Sequence, residues 1–254
     1  MKISVITATF NSGATLRDTL ESVLLQTHND IEYIIVDGKS KDNTLDIVRE
    51  YEPRFRDRMR WISEPDKGIY DAMNKGISMA TGDVIGILNS DDFYASSDIL
   101  SIIAQKIEDV DVVYGDLDFV DCIKTQRVVR QWRGSQYTPG SFLKGWHPAP
   151  PTFYVRRKYF DKLGGFDTSL DVSADFELML RFIEKNRLSN KYVPLTFIKM
   201  RLGGESTGSL SKIIKGNKNI LCAFKKNGYS VTPLYFIYRL LPKALNIIKN
   251  KLQI

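Results

Sequence analysis

The chain has 254 residues, 43% of them hydrophobic and 26% charged, with a formal net charge of +6. That is enough for one large α/β domain with a substantial core, in a composition ordinary for a soluble globular protein. The positive balance suits an anionic partner, a nucleotide or a membrane surface, and nucleic acid is set aside because no helix-turn-helix, zinc-finger or RNA-binding signature is present.

Ile3 to Thr9 reads as a strand, entered without the long apolar segment of a signal peptide. A helix follows with Leu16, Leu20, Val23 and Leu24 on one face. Glu32 to Asp37 is a second strand, and beyond the polar turn Gly38 to Asn43 a second helix turns Leu45 and Val48 inward. Met59 to Ser63 is a shorter third strand. The next helix carries Ile69, Ala72, Met73, Ile77 and Ala80, stops at Gly82, and gives way to a fourth strand at Val84. Strands separated by single helices predict a Rossmann-like, mostly parallel sheet with helices on both faces. After Asp92 the alternation loosens into strands over Asp111 to Gly115, Gln126 to Arg133 and Phe153 to Arg156, with a Gly/Pro-rich loop from Pro139 to Pro151. A helix from about Asp175 aligns Phe176, Met179, Leu180 and Ile183.

Two cysteines, Cys122 and Cys222, support neither a disulfide framework nor a zinc site and read as buried free thiols in a reducing cytosol. No run is long and apolar enough to span a membrane, so the chain is expected on the cytoplasmic side.

Four polar segments fall at the ends of these strands. They are Thr7-Ala8-Thr9-Phe10-Asn11, Val36-Asp37-Gly38-Lys39-Ser40-Lys41-Asp42-Asn43-Thr44, Ser63-Glu64-Pro65-Asp66-Lys67-Gly68 and Asn89-Ser90-Asp91-Asp92. In a parallel sheet such loops share the carboxyl edge, where ligands bind, so residues 9, 37, 66 and 91 are expected around one ligand. The adjacent acids Asp91 and Asp92 repel one another unless a cation or donor offsets them, and a divalent ion carrying a diphosphate would do so.

The order of these segments, continued by Gly165-Phe166-Asp167 and Ser173-Ala174-Asp175-Phe176-Glu177-Leu178, resembles the family 2 glycosyltransferases of the GT-A fold over about residues 3 to 205. The resemblance implies an inverting transfer from a UDP-sugar to a saccharide acceptor. That acceptor would be polyprenyl-diphosphate-linked, at the inner face of a bacterial membrane, in capsule, O-antigen or exopolysaccharide assembly. It implies a transferase domain over residues 1–210, with a nucleotide-sugar half (1–95) and an acceptor half (96–210), and a helical extension over 211–254. Thr9, Asp37, Asp66, Lys67, Asn89 and Asp91 would bind the donor, with Asp37 accepting from the uracil ring. Asn89-Ser90-Asp91 occupies the family's Asp-x-Asp position, so Asp91, helped by Asp92, would bind Mg²⁺ or Mn²⁺ on the diphosphate. Asn89 departs from the pattern and brings no charge.

Asp175 matches the family's base. On spacing alone it reads as a helix cap; the resemblance makes it the group that takes the acceptor proton as the new bond forms. Ala174 replaces an acid often found beside it, and Glu177 would supply the missing charge. His147 is either structural or a contact to acceptor or diphosphate. Arg201-Leu202-Gly203-Gly204-Glu205-Ser206 is either a surface turn or a glycine-hinged loop over phosphates, with Ser206 at its end. Arg54, Arg56, Arg58 and Arg60, in extended chain, would form one cationic face, solvated or toward anionic lipid. From Pro242 a helix puts Leu245, Ile248 and Leu252 on one stripe with Lys249 and Lys251 on its shoulders, for a core or for a membrane surface. A dehydrogenase is disfavoured because no Gly-x-Gly-x-x-Gly follows the first strand. A non-catalytic nucleotide-sugar-binding or scaffold protein is the rival that Asn89 and Ala174 favour.

Overall fold

The structure is a computed structural model and describes residues 1–203, 210–232 and 235–236. Strands β1 (Ile3–Thr9), β2 (Ile31–Asp37), β3 (Met59–Ser63) and β4 (Val84–Ile87) alternate with helices α1 (Leu16–Leu24), α2 (Thr44–Phe55) and α3 (Ile69–Met79). Then follow β5 (Phe93–Tyr94), α4 (Ile99–Lys106), β6 (Val112–Val120), β7 (Val128–Trp132), β8 (Tyr154–Arg156), α5 (Lys158–Leu163), α6 (Ala174–Met179), β9 (Asn190–Arg201) and α7 (Leu210–Lys226). One sheet joins the strands in the order β3-β2-β1-β4-β8-β6-β9-β5, with β7 paired to β6. The β3-β2-β1-β4 portion is parallel throughout, so its carboxyl ends lie on one edge. β8 runs antiparallel to both β4 and β6 and thereby turns β6 to point toward that same edge.

Each face of the sheet has its own core. Ile3, Val5, Tyr33 and Ile35 point to the face covered by Leu16 and Leu20 of α1 and Ile47, Val48 and Tyr51 of α2. Ile6, Ile34 and Val36 point the other way, onto Ala72 and Met73 of α3 and the aromatic group Phe142, Phe176, Phe182 and Phe224. This is the period-two alternation of strands buried on both sides. Each fully buried Leu, Ile or Phe contributes about 1.5–3 kcal/mol. In α2 the inward positions are Ile47, Val48, Tyr51 and Phe55, while Leu45 is only partly buried. Ile69, expected inward on α3, is 48% exposed because it begins the helix at the sheet edge.

The second half carries elements the alternation did not announce: α4, α5, α7 and the long β9. The Pro139 to Pro151 stretch contains two short 3₁₀ turns, Phe142–Lys144 and Pro150–Thr152. α7 falls within the expected extension and buries Ile220, Ala223 and Phe224 in the second core. The stripe from Pro242 lies outside the described residues. Among the described residues no helix is long and apolar enough to cross a membrane. Cys122 is exposed rather than buried, because it sits in the turn leaving β6.

The expected arginine face is also corrected. Arg54 lies in the last turn of α2 and pairs with Glu21, Arg56 and Arg58 lie in a 3₁₀ turn, and Arg60 on β3 pairs with Glu32. The chain is not extended there, so the four charges do not align.

Glu32 is 5% exposed and accepts hydrogen bonds from Ser4 Oγ (2.6 Å), Thr81 N (2.8 Å) and Thr81 Oγ1 (2.9 Å), with Arg60 at 2.5 Å. Burial pushes its carboxyl up, but these donors and the Arg60 charge outweigh burial and hold it at about 2. A folded pKa below the unfolded one stabilises above the unfolded value, and that stability is lost as pH falls through the folded value. Glu32→Gln is therefore expected to cost roughly 2–3 kcal/mol in urea melts at neutral pH. The difference should fade between the ordinary value of 4.5 and about 2. Equal stability of the two proteins at neutral pH would contradict this.

Candidate active site

Four loops are laced together at the carboxyl edge. After β1, Asn11 takes φ +50 and exchanges bonds with the next loop: its N–H donates to Ser40 Oγ (2.8 Å) and its Oδ1 accepts from Lys41 N (2.8 Å). Asp42 accepts from Gly13 N (2.9 Å) and Thr44 N (3.0 Å), and Thr44 Oγ1 accepts from Ser12 N (2.8 Å). Ser12 Oγ meets Ser90 Oγ at 2.8 Å, and Thr15 Oγ1 donates to Ser90 O at 3.0 Å. The loops after β1, β2 and β4 thus form one hydrogen-bonded unit.

Asp37, the last residue of β2, is fully buried and accepts from Ser40 N (3.0 Å), Ser40 Oγ (2.5 Å) and Ser63 Oγ (2.6 Å). Ser63 ends β3, so this one carboxylate ties two adjacent strand ends together. A carboxylate has about four acceptor sites, which leaves Asp37 capacity for one further donor. Gly38 packs against Asp66, since a Cβ there would fall 2.3 Å from Asp66 Oδ2 and 3.4 Å from the Phe10 ring. Any side chain at position 38 would push the Asp66 carboxylate away. Thr9 is 3% exposed, and its Oγ1 is buried with no hydrogen-bond partner among the described residues. Thr9, Asp37 and Asp66 are therefore neighbours, with Phe10 61% exposed beside them. Lys67 is exposed in the same turn as Asp66, where Gly68 N donates to Asp66 Oδ1 (2.9 Å) and Gly68 adopts φ +113.

After β4 the paired acids divide. Asp91 is half-buried, and burial pushes its carboxyl up against the lowering field of Arg201. Asp92 is fully buried and is pushed well up by burial and by the Asp91 charge. Its Oδ2 accepts from Asn89 Nδ2 at 2.8 Å, while Oδ1 has no hydrogen-bond partner among the described residues. Asp92, expected as a helper to Asp91, lies beneath it. It is an interior acid, and Asp91 alone of the pair reaches solvent. This explains the Asn at position 89: an amide there donates to Asp92, where a carboxylate would add a third negative charge.

Among the described residues no cluster of three or more His, Cys, Asp or Glu side chains forms a metal cage. A small hard cation arriving on a diphosphate needs only one or two protein carboxylates. Asp91, carrying an unfavourable buried charge, fits that limited donor set.

Arg201 is not part of a hinge: it ends β9 and is 6% exposed. Its Nη1 donates to Asp91 O (2.5 Å), its Nη2 pairs with Asp18 of α1, and its guanidinium lies 5.1 Å from the Phe93 ring centroid. Ser206 lies outside the described residues.

Asp175 is the second residue of α6, half-buried, and is not the cap; Ser173 holds that position. Its Oδ1 accepts from Phe176 N (2.7 Å) and from Tyr70 Oη (3.4 Å). The first turn of a helix favours a negative charge. The His147 ring packs edge-on against Trp132 (5.1 Å) and Phe176 (5.5 Å), and its Nδ1 meets Pro148 O at 2.8 Å. That places His147 beside the start of α6. Glu177 is not brought to this group. It is 4% exposed, salt-bridged to Arg181 (2.9 Å) and bonded by Asn227 Nδ2 (2.9 Å), so its charge is answered inside the core.

Two features escaped the sequence. One is Tyr70, on the turn of α3 that follows Asp66. The other is a second acidic pair on β6, Asp116 and Asp118. Arg133 bridges that pair at 3.7 and 2.9 Å, and Asp116 also accepts from Tyr192 Oη (2.7 Å). A cavity of about 350 Å³ between α1, β5 and the β6–β7 turn, lined by Leu25, Phe93 and Gln126, contains none of the candidate residues.

The glycosyl transferase family 2 model matches residues 4–187. A PGL/p-HBAD biosynthesis glycosyltransferase of Mycobacterium tuberculosis is 31% identical over 193 residues, covering 75% of this chain and 73% of that one. An uncharacterized glycosyltransferase of the same organism is 34% identical over 184 residues, covering 70% and 68%. Among solved structures, S. aureus TarS 1–349 in complex with UDP-GlcNAc superposes with a TM-score of 0.68 at 19% identity, over 88% of this chain and 66% of that one. Mannosyltransferase PcManGT from Pyrobaculum calidifontis, in complex with GDP-Man and Mn²⁺, gives 0.65 at 20% identity, over 96% and 69%. The fold is that of these GT-A glycosyltransferases.

Proposed function

Since the chain belongs to glycosyl transferase family 2 and is a glycosyltransferase, we propose that it transfers a sugar, with inversion, from a UDP-sugar to the hydroxyl of a saccharide acceptor. The observation that carries this reading is the meeting of Thr9, Asp37, Asp66 and the Asn89–Asp91 loop at one sheet edge, with Asp175 tied by Tyr70 to the helix that begins behind Asp66. Solved relatives of the same fold support the donor class, being in complex with UDP-GlcNAc or GDP-Man.

In this reading Asp37 and Asp66 accept from the uracil and ribose, and the exposed Lys67 lies beside them. Asp91 would hold Mg²⁺ or Mn²⁺, which would supply positive charge to offset that of the diphosphate. Asp175 accepts the acceptor's proton while the oxygen bonds to the anomeric carbon and UDP leaves from the opposite side. A carboxylate cannot deprotonate a sugar hydroxyl beforehand, so its placement matters more than its pKa. His147 borders the acceptor side, next to Trp132. A polyprenyl-diphosphate-linked acceptor in bacterial surface-polysaccharide assembly, presented at the inner membrane face, is the acceptor proposed; the net charge of +6 supports an anionic surface nearby.

Thermal-shift measurements against nucleoside diphosphates test this directly. UDP and UDP-sugars with Mn²⁺ should raise Tm by mass action, the fold gaining about 2.7 kcal/mol of stability at a hundredfold excess over Kd. Metal-dependent UDP release should accompany the shift. A chain that shows neither is not a transferase of this class.

A further inference from the structure

The structure assigns Tyr70 a positioning role: its hydroxyl holds the Asp175 carboxylate in line for the acceptor proton and couples the acid to the donor loop. This rests on the reading of Asp175 as base. Tyr70 lies two residues beyond Gly68 and four beyond Asp66, in the first turn of α3, yet reaches a residue 105 positions away. Its Oη donates to Asp175 Oδ1 at 3.4 Å, and its ring stacks on Phe166 with centroids 5.3 Å apart and planes 29° apart.

One helical turn along, Asn74 fixes the same Phe166 through both backbone groups, donating to its carbonyl (2.9 Å) and accepting from its N–H (2.8 Å). Helix α3 therefore docks the segment before α6 with one residue and orients the acid on α6 with another. Burial and the Asp175 charge push the Tyr70 phenol far up, so the hydroxyl stays protonated and acts only as donor toward the acid. The Oδ1 that Tyr70 addresses also accepts from Phe176 N. A bond of 3.4 Å before substrate binds is long, and such contacts tighten in the reacting complex.

The same helix start connects this arrangement to the donor. Lys67 N donates to Asp71 Oδ2 (3.0 Å) and Gly68 N to Asp66 Oδ1 (2.9 Å), so the turn holding Asp66 and the turn holding Tyr70 are built as one piece.

The test compares Tyr70→Phe, Asp175→Asn and the double variant. Tyr70→Phe keeps the ring stack and removes only the hydroxyl. The expected result is a kcat about tenfold lower, the worth of one hydrogen bond, with Tm unchanged and donor KM within twofold of wild type. The double variant should be no slower than Asp175→Asn alone, because the hydroxyl acts through the acid. A Tyr70→Phe kcat within twofold of wild type, with Asp175→Asn inactive, overturns the Tyr70 role and leaves the base standing. Multiplying losses in the double variant overturn it too. An active Asp175→Asn overturns the base and the Tyr70 role together.

Discussion

Asp175→Asn is expected to lower kcat by about 10²–10⁴-fold, the range a positioned general base supplies, while donor binding and the fold persist. The amide still accepts from Phe176 N and Tyr70 Oη, so these two bonds survive. The lost charge in the first turn of α6, at a half-buried position, costs at most about 2 kcal/mol. Transfer rates, UDP affinity by calorimetry and a thermal melt separate these effects. Loss of activity together with loss of fold or of UDP affinity would mean that Asp175 is a structural residue, and wild-type transfer would mean that it is not the base.

Asp91→Asn is expected to separate stability from function in the opposite sense. Burial pushes the Asp91 carboxyl up, so a folded pKa above the unfolded one makes its charge a cost at neutral pH, most evident as pH rises through the folded value. The amide removes that cost, so the metal-free variant should melt at or above the wild-type temperature. The stabilisation by UDP-sugar with Mn²⁺ should vanish, and kcat/KM should fall at least about a hundredfold, since a metal clamp supplies several kcal/mol. Backbone support for the loop remains, because Arg201 holds the Asp91 carbonyl rather than its side chain. An undiminished Mn²⁺-dependent shift would remove Asp91 from the metal site.

The first four strands and three helices were legible because one period governed each. Strands such as Ile31–Asp37 are apolar runs, and helices such as Leu16–Leu24 place buried residues three and four apart. The second half followed other rules. β9 contains Pro194 and alternates imperfectly, with residues 194 and 195 exposed, so its sequence does not read as a strand. It forms because β6 and β5 supply partners from distant parts of the chain. The Arg54–Arg60 alternation misled because Pro53 lies in the last turn of α2 and Arg56 takes φ +54, which breaks the chain direction.

The polar loops at the sheet edge were legible for the same reason as the strands: each closes one of them. What pairs across the sheet was not. Adjacent acids do not reveal which one a turn buries, and the structure buries Asp92 under Asn89. Glu177 carried a signal that pointed to its actual place, Arg181 four residues on, the spacing of a helical ion pair. Tyr70 had no local signal, because its meaning depends on a segment a hundred residues later.

The central claim is that the loops after β1, β2, β3 and β4 surround one metal-held nucleotide sugar facing Asp175. Crystals grown with UDP and Mn²⁺, measured at a wavelength where manganese scatters anomalously, test it most directly. The account predicts one anomalous peak bonded to the Asp91 carboxylate and to the diphosphate, with the uracil between Asp37 and Asp66. A nucleotide seated elsewhere, such as the cavity beside Leu25 and Gln126, or a manganese ion out of reach of Asp91, would contradict it.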